Sequence, residues 1–322
     1  MKEKLLATIM GSELQPKLPV LDFSCSENLK PGTSSWLSAC KEVRGALEDY
    51  GCFVLVYDKV SSELLKQVFG SLEELFDLPT EIKMKNKYEN RLNGYVGQIQ
   101  KLPLHESMGI QNAATLEATQ SFSNLLWSDG NDHFSACMHS YAKLTAELDQ
   151  MVTRMIYESY GVGKYHASYT GSTTYLLRVL KNRVPEVNEP NLGFVTHTDK
   201  SFTTILHQNQ VNGLEVETKD GEWISVEYPP SSFMVMAGDA LMAWSNDRIQ
   251  SPRHRVVMNG NEARYSLALF SFSDGIIEVP KELVDDEHPL QYKPFNHRGL
   301  LDFFSTNTTH KDKYPIKSYC GV

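Results

Sequence analysis

The chain has 322 residues, of which 41% are hydrophobic and 22% are charged, and its formal net charge is −9. This composition is ordinary for a globular protein with a sizeable core. The negative charge argues against nucleic acid as a partner, because phosphates attract basic surfaces, and no apolar run approaches the roughly 18 residues of a membrane span.

The first residues carry an apolar stretch that is too short for a secretory signal. It runs only from Leu5 to Met10, whereas a signal needs about 7–15 apolar residues without a nearby acid. The cysteines are scattered and form no C-x-x-C pair, which indicates reduced thiols. We therefore expect a cytoplasmic protein. The cysteines are Cys25, Cys40, Cys52, Cys137 and Cys320.

The N-terminal part is predicted to be mainly helical. A short strand over 17–23 precedes a helix whose apolar residues recur at spacings of four, three and four, which places them on one face. Gly51 ends this helix, and a buried strand follows over 52–57. The apolar face of the helix consists of Trp36, Cys40, Val43 and Leu47.

Two further helices and a loop complete this part. One helix begins after Ser62 and stops before Pro79. The segment 83–112 is rich in Asn, Gly and Lys and is predicted to be loop. A long helix is predicted over 134–160, closing at Gly161.

Short strands and tight turns dominate from about residue 166. Asp220-Gly221 separates two of the strands and Asn259-Gly260 follows another, and both dipeptides suit type I′ hairpins, in which both central residues have positive φ. Many evenly spaced strands are typical of a sandwich or barrel. The predicted strands cover 175–181, 194–200, 203–208, 213–218, 222–227, 232–238, 254–258 and 264–272.

The pattern predicts a mainly β protein with flanking helices. No linker-like tract or internal repeat divides the chain, so we expect one domain over 1–322. It would consist of a helix-rich part (1–165), a β-barrel core (166–280) and a C-terminal helical closure (281–322). The run 294–304 within the last part is predicted to close the barrel mouth or to pack against its outside.

The run FVTHTDKSF places a histidine and a carboxylate two positions apart in a strand-like segment. Residues i and i+2 of a strand share a face, so His197 and Asp199 project side by side. Two histidines and one carboxylate form the facial triad of non-haem Fe(II) oxygenases. His254 in SPRHRVV is the candidate for the third ligand. An HxD pair alone is weak evidence, because short sequences produce it by chance.

A second pair in the following strand strengthens the interpretation. Arg264 and Ser266 in ARYSLALF are again i and i+2. A buried arginine requires an anion, since an unpaired buried charge is costly, and guanidinium with hydroxyl suits a carboxylate. A dicarboxylate bound to a metal at one end would fit this clamp at the other.

These motifs resemble those of the plant Fe(II)/2-oxoglutarate-dependent dioxygenases. HTD at 197–199, SPRHRVV at 251–257 and RYS at 264–266 stand in the family's order and spacing, and LPVLDF at 18–23 and EDYGCFVLV at 48–56 also fit. The resemblance covers nearly the whole chain. It is closest to the AOP-like subgroup, which produces alkenyl and hydroxyalkyl glucosinolates.

The resemblance implies a double-stranded β-helix (jelly-roll) core and a set of site residues. His197, Asp199 and His254 would bind Fe(II), and Arg264 and Ser266 would bind the distal carboxylate of 2-oxoglutarate. The implied reaction is oxidation of a small plant specialised metabolite by O₂, most simply hydroxylation, with 2-oxoglutarate converted to succinate and CO₂. Ascorbate would support activity.

One departure from the family concerns the co-substrate. Many members have an Asn-x-Tyr element in front of the HTD motif, where this chain has Leu180-Lys181-Asn182. Asn182 is therefore a candidate for a hydrogen bond to 2-oxoglutarate, and the missing tyrosine leaves open how the iron-chelating end is held.

Other residues are weaker candidates for substrate contacts. Each has an alternative in core packing, and for His207 that alternative is a core histidine with satisfied hydrogen bonds. The remaining histidines are expected at the surface. The substrate candidates are Phe122, Trp127, Tyr175, His207 and Phe270; the histidines expected at the surface are His105, His133, His139, His166, His288, His297 and His310.

Two other functions stay open. An oxidase of the same fold can use ascorbate without 2-oxoglutarate, and a barrel that has lost its chemistry can act as a binding module. The complete ligand set argues against the binding module, since a barrel that no longer catalyses a reaction has no physical reason to keep three metal ligands and a buried arginine. No long exposed apolar stripe demands a protein partner, so we expect a monomer.

Overall fold

The computed structural model describes residues 17–25, 29–88, 93–229, 231–306 and 314–322. Within these ranges the longest helix has 28 residues, and no helix combines the length and apolarity that crossing a bilayer requires. Short 3₁₀ turns lie at Gly163–Tyr165 and Lys281–Leu283. The helices are α1 Ser34–Tyr50, α2 Ser62–Phe76, α3 Thr80–Lys83, α4 Leu116–Leu126, α5 Asp132–Ser159, α6 His166–Ser172, α7 Asp239–Trp244, α8 His297–Thr306 and α9 Pro315–Cys320.

The strands of the described chain form one large, one small and one two-stranded sheet. The large sheet has the order β1-β2-β9-β6-β11-β4-β3, the small one β5-β10-β7-β8, and β12 pairs with β13. The strands are β1 Val20–Asp22, β2 Cys52–Val56, β3 His105–Gln111, β4 Thr173–Asn182, β5 Leu192–His197, β6 Thr203–Gln208, β7 Leu214–Glu217, β8 Trp223–Ser225, β9 Ser232–Ala237, β10 His254–Val257, β11 Arg264–Ser273, β12 Ile276–Ile277 and β13 Phe295–Asn296.

The two larger sheets pack face to face. Val54 and Met236 of the large sheet join Leu214, Val216 and Ile224 of the small sheet in one apolar cluster. Because strand residues alternate between faces, every second residue of the large sheet points into the space between the sheets. We call this face the inter-sheet face.

The opposite face of the large sheet packs against helices. Phe53, Val235 and Leu267 belong to a cluster that also contains apolar residues of α1, α2 and α5. The long helix α5 contacts both β6 and β11. Residues on this outer face are therefore separated from the inter-sheet space by the sheet itself.

Local sequence signals account for the helix ends. The Thr33 side chain accepts a hydrogen bond from the amide of Trp36 at the start of α1, and Gly51 ends it in the left-handed region with φ of 71°. A Cβ atom at Gly51 would lie 2.2 Å from the carbonyl oxygen of Gln250. Glycine is thus required here by both conformation and space.

Most of the predicted elements are confirmed. The helices that become α1, α2 and α5 and the eight predicted strands of the second half all form, with ends shifted by a few residues. Several short elements were missed, among them α3, α6 and α7, and so were the longer β3 and α4. The segment 83–112 ends in β3, an edge strand of the large sheet, and α4 occupies a stretch taken as loop-like.

The turn predictions are wrong. A type I′ turn needs positive φ at both central residues, but only Gly221 and Gly260 have it, while Asp220 and Asn259 do not. The Asn259-Gly260 turn also joins strands of different sheets, because β10 belongs to the small sheet and β11 to the large one.

Candidate metal centre

The three predicted ligand side chains come together at one end of the small sheet. β5 ends at His197 and β10 begins at His254, and these two residues stand opposite each other in the antiparallel pair. Asp199 follows two residues beyond the end of β5. The pairing of the two strands therefore sets the spacing of the two imidazoles, while a short loop positions the carboxylate.

The geometry of the three side chains suits a single cation. The Oδ1 atom of Asp199 lies 3.6 Å from Nε2 of His197 and 3.7 Å from Nε2 of His254. One possible ligand atom from each residue lies within 4.8 Å of the other two. Two imidazole nitrogens and one carboxylate oxygen are the donor set of a 2-His-1-carboxylate iron site.

Backbone carbonyls orient both imidazole rings. Nδ1 of His197 lies 2.9 Å from the carbonyl oxygen of Val195, and Nδ1 of His254 lies 3.2 Å from that of Pro252. A carbonyl only accepts, so each Nδ1 carries the proton and each Nε2 keeps its lone pair. This arrangement is the usual support for metal-binding histidines.

The carboxylate of Asp199 is held in its charged form. Burial opposes the charge, but His254, His197 and a hydrogen bond from the Thr204 hydroxyl outweigh it and lower the pKa of Asp199. The Thr204 hydroxyl donates to Oδ2 at 2.7 Å, which leaves Oδ1 facing the two imidazoles. Burial, together with His197, lowers the pKa of His254 to about 4, so that this ring is neutral at physiological pH.

A buried ion pair supports the loop that carries Asp199. Nζ of Lys200 lies 2.8 Å from Oδ2 of Asp239 and from the carbonyl oxygen of Thr198. The amide of Asp239 donates to the carbonyl oxygen of Asp199 at 2.8 Å. Nε2 of His297 lies 2.7 Å from the carbonyl oxygen of Lys200. The loop is therefore bonded to α7 and to α8 on either side of the carboxylate.

The predicted arginine and serine lie on the inter-sheet face of β11. Arg264 is buried and donates from Nε and Nη2 to Oε1 of Gln208, and from Nη1 to the Ser266 hydroxyl at 3.0 Å. Burial lowers the pKa of Arg264 to about 10, which still leaves it charged at physiological pH. Gln208 fixes the plane of the guanidinium, and no sequence signal singled it out.

The clamp and the metal triad share the inter-sheet space. A Cβ atom on Gly213 would lie 3.3 Å from Cδ of Arg264 and 3.4 Å from Cγ1 of Val256. Val256 is two residues from His254 on β10, so both belong to one strand of the small sheet. A path between the sheets thus leads from the triad past Val256 to Arg264.

Asn182 and Tyr228 lie near this path. The Asn182 amide donates to the carbonyl oxygen of Gly193 at 2.9 Å and so links β4 to β5. The Tyr228 hydroxyl is buried without a hydrogen-bond partner among the described residues, and burial raises its pKa. The tyrosine lies close enough to Arg264 to raise the pKa of the guanidinium against the effect of burial.

Four of the five weaker substrate candidates lie elsewhere. His207 stacks between Phe69 and Phe233 and bonds the Ser232 carbonyl, and the Tyr175 hydroxyl bonds Asp149 of α5, so both point to the helical side of the sheet. Phe122 and Trp127 pack on Phe134. His207 and Tyr175 thus take the core role that was their alternative, and Phe122 and Trp127 pack in the helical layer. Side-chain type alone does not reveal which face a residue occupies.

Phe270 does lie on the inter-sheet face. In β11 it is four positions from Ser266 and pairs with Leu176 of β4 and Thr204 of β6. Leu176 and Phe270 cluster with Leu301, which places α8 against this end of the inter-sheet face. Phe270 therefore remains a candidate for a substrate contact.

Two histidines expected at the surface are buried. His297 is fully buried, and its Nδ1 accepts from the amide of Ser273 while its Nε2 contacts the Lys200 carbonyl. His105 is 4% exposed and stacks on Phe194, whose ring also contacts that of His197. His310 lies outside the described residues. The segment around His105 showed no clean apolar alternation, which hid both the strand and its buried face.

Comparison with known proteins identifies relatives along most of the chain. Residues 173–273 match the family described as the 2OG-Fe(II) oxygenase superfamily. Residues 18–127 match the N-terminal region of non-haem dioxygenases, named for morphine synthesis. The first match contains all three members of the metal triad and both residues of the clamp.

Several of the similar proteins are dioxygenases of plants. A probable 2-oxoglutarate-dependent dioxygenase AOP1 from Arabidopsis thaliana is 46% identical over 297 residues, which are 90% of this chain and 97% of that protein. The rice dioxygenase for auxin oxidation superposes with a TM-score of 0.79 at 28% identity, covering 95% of this chain and all of the other. The corresponding Arabidopsis thaliana enzyme, solved with 2-oxoglutarate, gives a TM-score of 0.75 at 28% identity over 85% of this chain and all of the other.

Proposed function

Because this chain belongs to the 2OG-Fe(II) oxygenase superfamily, in its plant AOP-like group, we propose that it hydroxylates a small plant specialised metabolite while it converts 2-oxoglutarate to succinate. The observation that carries the proposal is the convergence of His197, Asp199 and His254 within 4.8 Å, in one inter-sheet space with a buried arginine. In this proposal the two packed sheets are the halves of a double-stranded β-helix core, with the N-terminal helices as its outer layer.

We assign the metal site to the triad because its donor atoms are prepared for a cation. The carbonyls of Val195 and Pro252 leave both Nε2 atoms free to bind iron, and Thr204 turns one carboxylate oxygen of Asp199 towards them. Iron and 2-oxoglutarate, when bound, supply the oxidation of a C–H bond by O₂. The protein fixes the positions of the ligands and excludes bulk water from the space between the sheets.

We assign the distal carboxylate of 2-oxoglutarate to Arg264 and Ser266. The Arg264 guanidinium is already fixed by Gln208, so binding an anion there costs little side-chain ordering. The unpartnered Tyr228 hydroxyl is a donor near the same guanidinium and is our candidate to replace the missing tyrosine of the Asn-x-Tyr element. Asn182 holds β4 to β5 and would act on the co-substrate indirectly.

The test is an anaerobic titration of the metal-free protein with Fe(II) and 2-oxoglutarate. We expect the weak visible charge-transfer band of the Fe(II)–2-oxoglutarate complex in the wild type. Asp199→Ala should lose the band, and Arg264→Met should require at least about tenfold more 2-oxoglutarate, because it removes a charge-assisted contact. His207→Phe, which alters a buried histidine on the other face of the sheet, is the matched control and should behave as the wild type.

Two outcomes would contradict the proposal. A wild-type protein that binds iron without the band would be a binding module or an oxidase that does not use 2-oxoglutarate. Product formation from a plant metabolite extract with ascorbate but without succinate release would favour the ascorbate-dependent oxidase. Under the proposal, products gain one oxygen atom, succinate is released in step with them, and ascorbate sustains turnover.

A further inference from the structure

His105 is a buried histidine that the metal and co-substrate sites do not use. It belongs to the inter-sheet face, because it pairs in register with Asn182, which is itself opposite Arg264 in the next strand. Its ring stacks on Phe194 of the small sheet at 4.6 Å between centroids, and Phe194 stacks on His197 at 4.9 Å. The sum of these two centroid distances, about 9.5 Å, is the greatest possible distance between the rings of His105 and His197, a proposed iron ligand.

A chain of hydrogen bonds links Arg178 through Ser107 to one nitrogen of His105. Nη2 of Arg178 donates to the Ser107 hydroxyl at 2.6 Å, and the same hydroxyl lies 3.0 Å from Nε2 of His105. Because a guanidinium only donates, the Ser107 oxygen accepts from it, and we assign its own hydrogen to Nε2 of His105, its other hydrogen-bond partner. With this assignment Nε2 of His105 accepts, and the proton of the neutral ring sits on Nδ1.

Nδ1 of His105 has no hydrogen-bond partner among the described residues. The ring is neutral, because burial, together with the guanidinium charges of Arg178 and Arg264, lowers the pKa of His105 to about 3. Leaving a buried donor unpaired is energetically costly. A buried, oriented and unpartnered N–H donor beside a metal site indicates a position for an acceptor atom of a ligand.

This position is separate from the clamp proposed for 2-oxoglutarate. His105 lies level with Arg264 but two strands from it across β4, roughly 10 Å away. Arg178 pairs with Ala268, four residues along β11 from Arg264, a distance of roughly 13 Å along the strand. The two guanidiniums also point apart: that of Arg264 bonds Gln208 of β6, and that of Arg178 bonds Ser107 of β3. His105 and Arg264 therefore lie on opposite sides of β4 on the inter-sheet face.

We propose that His105, backed by Arg178 through Ser107, binds the carboxylate of the primary substrate and so selects small organic acids. A carboxylate oxygen accepts from Nδ1 of His105, and the positive charge of Arg178 favours an anion over a neutral amide. The distance to His197 suits an acid whose oxidised carbon lies a few bonds from its carboxylate. This inference rests on the proposed function, since it assigns the substrate of the same site.

The experiment measures binding of named acids to the anaerobic protein loaded with Fe(II) and 2-oxoglutarate. Phenylacetate and hexanoate are compared with phenylacetamide and hexanamide by isothermal titration calorimetry. We expect the wild type to bind at least one acid about tenfold or more tightly than its amide. His105→Phe keeps the stacking on Phe194 but removes the donor, and it should abolish this preference.

Control variants separate this site from the co-substrate site. His105→Phe should leave the 2-oxoglutarate titration of the charge-transfer band unchanged, and His207→Phe should change neither measurement. Arg178→Gln should weaken acid binding in the same direction as His105→Phe.

Three results would overturn the inference. The first is a wild type that binds neither acid more tightly than its amide. The second is a His105→Phe variant that keeps the wild-type preference for the acid. The third is a His105→Phe variant that binds 2-oxoglutarate more weakly but still binds the acid normally. If the charge-transfer band does not form in the wild type, the proposed function itself fails, and this outcome is read before any acid is added.

Discussion

Thr204 is the side chain through which the large sheet holds the metal-binding loop. Its hydroxyl donates to Oδ2 of Asp199 at 2.7 Å and is itself fully buried. Partners of this kind orient a ligand and stabilise its charge, and losing one typically costs 10–100-fold in metal affinity or activity. The precision of the site therefore depends on a residue that does not contact the metal.

Replacing Thr204 tests this dependence. We expect Thr204→Val, which keeps the shape but removes the hydroxyl, to weaken Fe(II) binding by roughly tenfold. Anaerobic calorimetric titration gives the affinity, and thermal unfolding of the metal-free protein shows whether the fold is intact. Thr204→Ser should retain most of the affinity. Equal affinities for the wild type and the valine variant would show that the hydrogen bond has no role in the site.

Lys200 and Asp239 form a second support of the loop that carries Asp199, and its contribution can be measured as protein stability. Lys200→Met leaves the fully buried Asp239 without its cation, and removing one partner of a buried pair typically costs about 3–5 kcal/mol. We expect a loss of this size in the free energy of unfolding by urea. The double variant Lys200→Met/Asp239→Asn should recover part of it, because the remaining group is neutral. A single variant within about 1 kcal/mol of the wild type would rule out this account.

At the residue scale, the ligand residues could be predicted from their chemical type and spacing in the sequence. The face of the sheet towards which a side chain points could not be predicted. His197, Asp199 and His254 carry a recognisable pattern, and the structure brings them together. Thr204, Gln208 and His105 carry none, because a threonine, a glutamine or a histidine in a strand has many structural uses. Only the register across β3, β4, β11 and β6 shows which of them face the inter-sheet space.

Among the elements, the loop between β5 and β6 is packed against the start of α7 with no space for a side chain. A Cβ atom on Gly238 would lie 1.9 Å from the carbonyl oxygen of Ser201. The Gly238 amide also bonds the Phe202 carbonyl. The backbone of the loop that carries Asp199 is therefore positioned by direct backbone contact.

A methyl group at this position should displace the loop. We expect Gly238→Ala to destabilise the protein by about 1–3 kcal/mol, the usual cost of overpacking, and to weaken Fe(II) binding. Urea unfolding and anaerobic titration measure the two effects. Gly45→Ala is the matched control: its Cβ meets nothing within 4 Å in α1, so it should be neutral or slightly stabilising. Wild-type iron affinity in Gly238→Ala would mean that the loop adapts without moving the carboxylate.

Two of the elements that the sequence did not reveal, β3 and α4, have a partly polar buried face. In β3 the inter-sheet positions are His105, Ser107, Gly109 and Gln111, while Met108 and Ile110 face the core. A strand that lines a polar site lacks the alternation by which half-buried strands are identified. The same holds for α4, whose buried residues include Thr119 and Ser123 beside Phe122 and Leu126. The purely apolar strands, such as β9, were readily predicted.

For the whole molecule, the buried histidines predict how stability depends on pH. Burial lowers the pKa of His207 and of His297 to about 4, and that of His105 to about 3. In the unfolded chain these groups titrate near 6.5, so the unfolded state binds more protons between these values. Stability contributed by the neutral rings is complete above about pH 6.5 and is lost as the pH falls towards 4.

One acid opposes this trend. Burial raises the pKa of Asp149 to about 6, so its contribution decreases as the pH rises from about 4 to 6. These three histidines, together with His254 in the metal-free protein, outweigh one carboxyl, and we expect the free energy of unfolding of the metal-free protein to fall from pH 6.5 to 4.5. Urea unfolding at a series of pH values measures the slope, and His207→Phe should reduce it by about one proton. A stability that is flat or rises on acidification would contradict this prediction.

The division of the proposed site between two sheets has a further consequence. The imidazoles belong to the small sheet and the guanidinium to the large one, so a dicarboxylate that engages both ends acts as a crosslink across the domain interior. The affinity for the dicarboxylate then depends on the distance between the two sheets, whereas the affinity for iron alone does not. Variants that loosen the apolar cluster containing Met236 and Val216 should consequently bind the co-substrate poorly while they still retain metal. Co-substrate affinity can therefore be changed from positions remote from the reacting atoms.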